Sequence, residues 1–265
     1  MNISIIIPAR YGSTRFPGKP LVEIAGQTML SRVVNIAKQA AENIENVTIA
    51  VATEDERILK HAEEIGAKAV LTSDQCATGS DRVLEAVLKI APDTDFVFGL
   101  QGDAPFTPVN AITEMIKAVK NKPDIEVITP VINLRWSELD ALRKNKVQTP
   151  FSGTTAIINH AGRALWFSKN ILPAIRKEET YRNNEFSPVH QHIGLYGFQL
   201  KTLKKFVSLP QGKYEELEGL EQLRLLENDI PIQTITLDVK AGLAQAGIDS
   251  PEDIIRAEKI LEKNK

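Results

Sequence analysis

Residues 3–20, ISIIIPARYGSTRFPGKP, begin as a short apolar run, stop at Pro8, and pass into a loop with three cations (Arg10, Arg15, Lys19) and two glycines (Gly12, Gly18). The run predicts a buried strand, and the loop suits a polyphosphate. Glycines let backbone N–H groups approach phosphate oxygens, while arginine and lysine offset the charge that grows as pyrophosphate departs. Arg15 and Lys19 are the leading candidates for that work, within a nucleotide-binding loop that also includes Pro8, Ala9, Arg10, Gly12 and Ser13. Neither the Walker nor the dinucleotide glycine pattern is present, so composition alone also permits a solvated basic loop.

Working outward, apolar runs at 47–52, 67–71 and 96–100 alternate with helical patterns at 29–37, 58–65, 83–90 and 112–119. This βαβ rhythm predicts an α/β fold, with a doubly wound, mostly parallel sheet over about residues 1–130 and ligands at the strands' carboxyl ends. Beyond residue 125, Pro130, Trp136, Pro150 and Gly153 separate shorter extended segments at 154–158, 164–167 and 193–198. A smaller mixed α+β lobe is expected over about 131–235, with residues 232–265 returning to the first part as a strand and helix. Residues 177–188 read as a mobile polar loop. Residues 214–227 read as a helix ringed by Leu217, Leu220, Leu223, Leu225 and Leu226, hence largely buried, with Glu221 between Leu217 and Leu225. Ser250 and Pro251 mark a closing helix running to about residue 261.

The chain has 265 residues with 43% hydrophobic content, enough for a substantial core. Lys and Arg number 32 against 34 acidic residues, a formal charge of -2, so no global field draws the chain to nucleic acid or an anionic membrane. The lone Cys76 has no disulfide partner. No apolar run approaches the roughly 20 residues of a membrane span. A cytoplasmic enzyme follows as the expectation.

Asp103, in Gln101-Gly102-Asp103, closes the apolar run 96–100, where an aspartate can meet Mg²⁺ without burying an unpaired charge; an aspartate here can equally serve only to form the turn. Thr78-Gly79-Ser80-Asp81-Arg82 is a helix entry with Thr78 or Ser80 as the capping oxygen. Glu221, set among leucines, needs a polar partner. His192 and Tyr196 share one face of an extended segment.

PARYGSTRFPGKP, with VATEDERI from Val51, TGSDR from Thr78, LQGDAP from Leu100, HIGLYGF from His192, LEQLRLLEN from Leu220 and GIDSPED from Gly247, resembles the CMP-Kdo synthetase family, the 3-deoxy-manno-octulosonate cytidylyltransferases. The resemblance implies that CTP and an acidic sugar are joined, with release of pyrophosphate, in lipopolysaccharide biosynthesis. It implies Mg²⁺ on Asp103 and Asp249, cytosine recognition by the turn with Thr78, Gly79, Ser80 and Arg82, and nucleotide binding by Gln101. The sugar acid would meet Gln101, Lys169, His192, Tyr196, Glu221 and Gln222, and the chain would form a homodimer through its second lobe. Three positions depart from the family pattern: Ala104 for a glutamate, Lys169 for an arginine, and Thr155 near an expected lysine. Lysine lacks arginine's planar two-pronged geometry, which leaves open a variant sugar such as an 8-amino octulosonate. The same residues are compatible with a nonulosonic (sialic-type) acid as the sugar, and with a catalytically silent nucleotide-binding regulator on this fold.

Overall fold

Every residue of the first strand is buried, and its side chains divide between two faces. Ile3, Ile5 and Ile7 enter one core and Ile6 the other. That division requires helices on both sides of the sheet. The computed structural model describes residues 1–12, 16–239, 248, 253–255 and 257–258. In chain order the elements are β1 (Ile3–Pro8), β2 (Glu23–Ile24), β3 (Gln27–Thr28), α1 (Met29–Ala41), β4 (Val47–Thr53), α2 (Glu56–Glu64), β5 (Lys68–Leu71), α3 (Gly79–Ile90), β6 (Phe96–Gly99) and α4 (Val109–Asn121). They continue as β7 (Val127–Arg135), α5 (Trp136–Gln148), β8 (Thr155–Ile158), β9 (Ala164–Ser168), β10 (Phe186–His192), β11 (Tyr196–Gln199), α6 (Leu200–Ser208), α7 (Lys213–Glu218), α8 (Leu223–Glu227) and β12 (Ile232–Leu237).

Strands β5, β4, β1 and β6 lie side by side and parallel, with α1, α2 and α4 supplying the core of one face and α3 and α6 that of the other. This is the expected doubly wound half. Antiparallel β11 then joins β6 to β7, and the ten-stranded sheet runs on through β10, β8 and β9, with β12 parallel to β7. The register shows how β7 is shared: β12 takes one edge, while β10 and β11, consecutive in sequence, take the other. The expected mixed lobe is therefore built on the same sheet.

Residues 214–227 do not form one helix. Gly219 takes a left-handed φ of 61° and ends α7, and the chain turns through Leu220, Glu221 and Gln222 before α8 begins. A continuous helix would point leucines in every direction. The break lets Leu220, Leu223 and Leu225 enter one core and leaves Leu217 70% exposed, so Glu221 sits in a turn rather than between Leu217 and Leu225 on a helix. Residues 177–188 likewise hold more structure than a polar loop suggests. Glu178–Thr180 form a short 3₁₀ turn, Glu178 pairs with Arg143 and Arg182, and β10 begins at Phe186. The closing helix is seen at residues 253–255 and 257–258; Ser250 and Pro251 lie outside the described residues.

Candidate active site

Three segments meet at the carboxyl ends of β1, β4 and β6. Ala9 N–H donates to the Ala52 carbonyl at 2.9 Å, and Gly102 N–H donates to the Pro8 carbonyl at 3.2 Å. The approach at Gly102 is so close that an added Cβ would lie 2.7 Å from the Pro8 oxygen. Pro8 and Ala9 are buried, whereas Arg10 and Gly12 are exposed at the loop's rim; Ser13 and Arg15 lie outside the described residues. Lys19 Nζ donates to Asp103 Oδ2 at 2.8 Å, which joins the two charges expected here. Asp103 keeps 43% of its side chain exposed. The Ile248 N–H reaches the Asp103 carbonyl at 3.4 Å. Asp249 lies outside the described residues, one position along the chain from that contact.

The turn before α3 forms the adjoining wall. Thr78 caps the helix in a reciprocal box with Asp81: its Oγ1 accepts from the Asp81 N–H at 3.3 Å, and Asp81 Oδ2 accepts from the Thr78 N–H at 2.7 Å. Gly79 faces the Gln101 amide and the Pro8 ring, so the Pro8, Gly79 and Gln101 segments touch. Arg82 is buried, with its guanidinium committed to Glu54 at 3.0 Å and Thr72 at 2.6 Å. Glu54 also accepts from the Tyr11 N–H at 3.0 Å, and Arg57 stacks 3.4 Å from the centre of the Tyr11 ring. Glu54 is a structuring residue that the sequence motifs do not single out. Its only signal is an acid directly after β4, inside the segment VATEDERI.

Across the α3 entry stands a second group of polar residues. His192 packs between the Phe167 and Tyr196 rings, at centroid distances of 5.0 and 5.3 Å, although residues 193–195 interrupt the strand between the histidine and the tyrosine. Thr129 Oγ1 donates to the Leu195 carbonyl at 2.8 Å and meets His192 Nε2 at 2.9 Å. With the threonine proton spent on the carbonyl, Nε2 is the donor in that contact. Burial, and then the neighbouring charge of Lys169, push the His192 pKa down to about 3, so the ring is neutral. Burial, with Glu221 as the second cause, raises the Tyr196 phenol well above its usual range. The phenol lies beside Thr129 but makes no aligned hydrogen bond, and Glu221 Oε1 and Gln222 Nε2 are buried without one too. An unmet acceptor, an unmet donor and a hydroxyl that can do either suit a ligand rich in hydroxyl and carboxylate groups.

Lys169 is half-buried, with its ammonium held below its usual range by burial. Its backbone N–H donates to Glu218 at 2.8 Å. Thr155, one of the departures, is occupied structurally: its hydroxyl donates to the Asn170 carbonyl at 2.7 Å and accepts from the Leu172 N–H at 3.0 Å. Nearby, Lys146 Nζ gathers the carbonyls of Pro150, Ser152, Gly153 and Lys169. The turn bearing Glu221 is held by a buried ion pair between Arg224 and Glu215, at 2.5 and 2.7 Å. Lys146 and the Arg224–Glu215 pair give no sign in the sequence, because a lysine or arginine committed internally looks the same as a solvated one.

A cytidylyltransferase family model matches residues 4–235. The chain is 42% identical over 261 residues to the 3-deoxy-manno-octulosonate cytidylyltransferase of Maricaulis maris, covering 98% of this chain and 97% of that one. It is 39% identical to the protein of the same name from Thermodesulfovibrio yellowstonii, covering 97% and 96%. Among solved structures, a CMP:2-keto-3-deoxy-manno-octonic acid synthetase in complex with CTP superimposes with a TM-score of 0.83 at 27% identity, over the full length of both chains. A 4-diphosphocytidyl-2C-methyl-D-erythritol synthase from Anaerococcus prevotii, at 15% identity and a TM-score of 0.59, shares the fold. The converging strand ends and the near full-length matches lead to one conclusion: this chain is an enzyme of the cytidylyltransferase family, grouped with the 3-deoxy-manno-octulosonate cytidylyltransferases.

Proposed function

We propose that this enzyme transfers CMP from CTP to 3-deoxy-manno-octulosonate, giving CMP-octulosonate and pyrophosphate for lipopolysaccharide synthesis. The observation that carries the reading is the pair of groups on either side of the α3 entry: a phosphate loop packed on Gln101–Asp103, and the unmet polar atoms of Tyr196, Glu221 and Gln222. The anomeric hydroxyl of the sugar attacks the α-phosphorus of CTP and gives up its proton to water. A new P–O bond forms, the bond to the β-phosphate oxygen breaks, and pyrophosphate leaves with the electron pair. Lys19, with Arg15, neutralises the departing phosphates. The Thr78–Arg82 turn and Gln101 hold the cytosine. Lys169 faces the sugar's carboxylate, with His192, Tyr196, Glu221 and Gln222 about its hydroxyls.

The donor chemistry fits Mg²⁺, which takes one or two carboxylates and completes its shell with substrate phosphates and water. Asp103 offers a part-exposed carboxylate, and Ile248, whose N–H meets the Asp103 carbonyl, directly precedes Asp249 in the sequence. When bound, the ion supplies positive charge to the phosphates. No cluster of three acidic, histidine or cysteine ligands exists among the described residues.

Among the described residues no helix is long and apolar enough to cross a membrane. The family resemblance supports a cytoplasmic location and a homodimer through the second lobe, where Val147 in the last turn of α5 and Phe151 just beyond it are exposed apolar side chains.

The deciding experiment is pyrophosphate release with CTP, ATP and GTP, each paired with octulosonate, 8-amino octulosonate and a nonulosonic acid. CTP with octulosonate is expected to be fastest. Equal release from a purine nucleotide, or preference for a nonulosonate, overturns the assignment, and no release from any pair indicates a silent regulator. Asp103→Asn and Asp249→Asn are each expected to cut turnover by about two orders of magnitude or more at limiting Mg²⁺, with the fold retained. Near-normal turnover in either variant removes that residue from the metal site.

A further inference from the structure

Glu221 faces the sugar side, yet the nucleotide side holds its carboxylate. Ser80 Oγ donates to Glu221 Oε2 at 3.0 Å, and Ser80 is the second residue of α3, directly after the Gly79 that touches Gln101 and Pro8. The other oxygen, Oε1, is buried and unmet, as is the neighbouring Gln222 Nε2. A carboxylate tethered through one oxygen loses its freedom to rotate, so the second oxygen presents its lone pairs in a fixed direction. The backbone beneath is fixed as well. Gly219 closes α7, and the buried Arg224, stacked 4.8 Å from the centre of the Phe206 ring, clamps Glu215 across the turn. Nothing else on α3 explains why a serine at the helix's second position should point towards residue 221, because Thr78 and Asp81 already complete the cap.

We propose that Ser80 is a positioning residue for the sugar acid rather than a contact to the nucleotide: its hydroxyl aims Glu221 so that Oε1 accepts from a sugar hydroxyl. The arrangement ties the sugar-recognising carboxylate to the helix entry that binds the nucleotide. A nucleotide that orders this entry also orders Glu221, and by reciprocity the sugar tightens the hold on the nucleotide. This rests on the reading of Glu221 given above. It changes the role of Ser80 within that reading and leaves Thr78, Gly79 and Gln101 on the nucleotide.

The test compares the intact enzyme with Ser80→Ala, Ser80→Thr, Glu221→Gln and the Ser80→Ala/Glu221→Gln pair. The apparent constants for 3-deoxy-manno-octulosonate and for CTP are measured, together with Tm. The pH titration of the Glu221 carboxyl carbon is followed by NMR in ¹³C-glutamate-labelled protein and assigned by its loss in Glu221→Gln. Ser80→Ala is expected to raise the sugar constant about five- to tenfold while the CTP constant moves less than about twofold. The same variant should move the Glu221 titration to higher pH, since a hydrogen bond to the charged form is lost. Ser80→Thr should restore both, and adding Ser80→Ala to Glu221→Gln should cost little more, because one interaction is removed twice. A weakened CTP constant with an unchanged sugar constant overturns the proposal, as does additivity in the pair. If the intact enzyme releases no pyrophosphate with any sugar acid, the proposed function fails by itself. The carboxyl titration then decides the tether, and a titration unmoved by Ser80→Ala disproves it.

Discussion

Glu221 and His192 are two titratable groups whose charged forms the fold resists, and their consequences for stability have opposite signs. Burial raises the Glu221 pKa, and the neighbouring hydroxyls of Thr78 and Ser80 offset the shift only in part. Between the unfolded value near 4.5 and the raised folded value, the native state holds a proton that the unfolded chain has lost, so this group's contribution to stability falls as pH rises through that window. Glu221→Gln keeps the shape and one acceptor and removes the penalty. Its Tm at neutral pH should hold or rise, while the sugar constant worsens about tenfold or more, equivalent to about 1.4 kcal/mol, and the CTP constant barely moves. Gln222→Ala should show the same selectivity. A fall in Tm with an unchanged sugar constant would make Glu221 a structural carboxylate. His192, pushed down to about 3, binds fewer protons folded than unfolded. Its contribution is fully present above about pH 6.5 and is lost as pH falls towards about 3. His192→Gln should therefore flatten the acid limb of a Tm-versus-pH curve between those values, and an unchanged limb would place the acid sensitivity elsewhere. The turnover profile near neutrality should carry no His192 titration.

Turns between elements position the site, and two glycines show it in different ways, Gly102 by close contact and Gly219 by its left-handed backbone. Gly102→Ala would press a methyl group to 2.7 Å from a backbone oxygen that cannot rotate away, so the Asp103 loop must shift. Turnover is expected to fall at least about tenfold, since displacements of around 1 Å can cost more than that. Gly219→Ala should cost about 1 kcal/mol at a left-handed cap, read as a lowered Tm together with a weakened sugar constant. Wild-type kinetics for Gly102→Ala would show that the loop can yield. The same two turns mark how far the sequence can be read. β1, β4 and β6 are visible as apolar runs ending in Pro, Thr and Gly, and parallel strands buried on both faces read in that way. The meeting of Lys19 with Asp103 is visible only as two motifs, because residues 84 positions apart give no pairwise signal. The helix break at Gly219 is hidden because leucine spacing satisfies a helix all the way round, and only the tertiary core chooses which leucines to bury. The arginine of LEQLR is visible as part of a motif, but its partner Glu215 is not, since the pairing depends on that break.

On the scale of the whole molecule, two large cores on opposite faces of the sheet give the chain its rigidity, and a third, small apolar cluster sits apart from them. Ile24 of the β2–β3 hairpin, Met29 at the start of α1, Ile248 and Ala257 are its buried members, with Phe16, Phe106 and Ile254 packed against them. These residues come from three regions that are distant in sequence: residues 16–29, from the end of the loop after β1 through the hairpin to α1, the segment just after Asp103, and the chain's last part. Ala25 N–H adds a tie at 3.0 Å to Glu258. The cluster gathers loops and chain segments outside the two large cores, so it acts as a clamp on those loops. Phe106 is its most informative member, being three residues beyond Asp103 and packed against the cluster that includes Ile248. Phe106→Ala removes a partly buried ring and should destabilise the protein by about 1–3 kcal/mol, less than the loss of a fully buried phenylalanine. Because the cluster draws Asp103 and the Ile248 segment together, the variant should raise the apparent Mg²⁺ constant severalfold and leave the sugar constant near its wild-type value. Phe106→Leu, which refills most of the space, should recover much of both losses. Titrating Mg²⁺ at saturating CTP and sugar, with Tm measured alongside, separates the possibilities. A Tm loss with an unchanged Mg²⁺ constant would mean that the cluster only adds stability, whereas a shifted Mg²⁺ constant that Phe106→Leu restores would show that this apolar contact holds the two ends of the chain at the phosphate site.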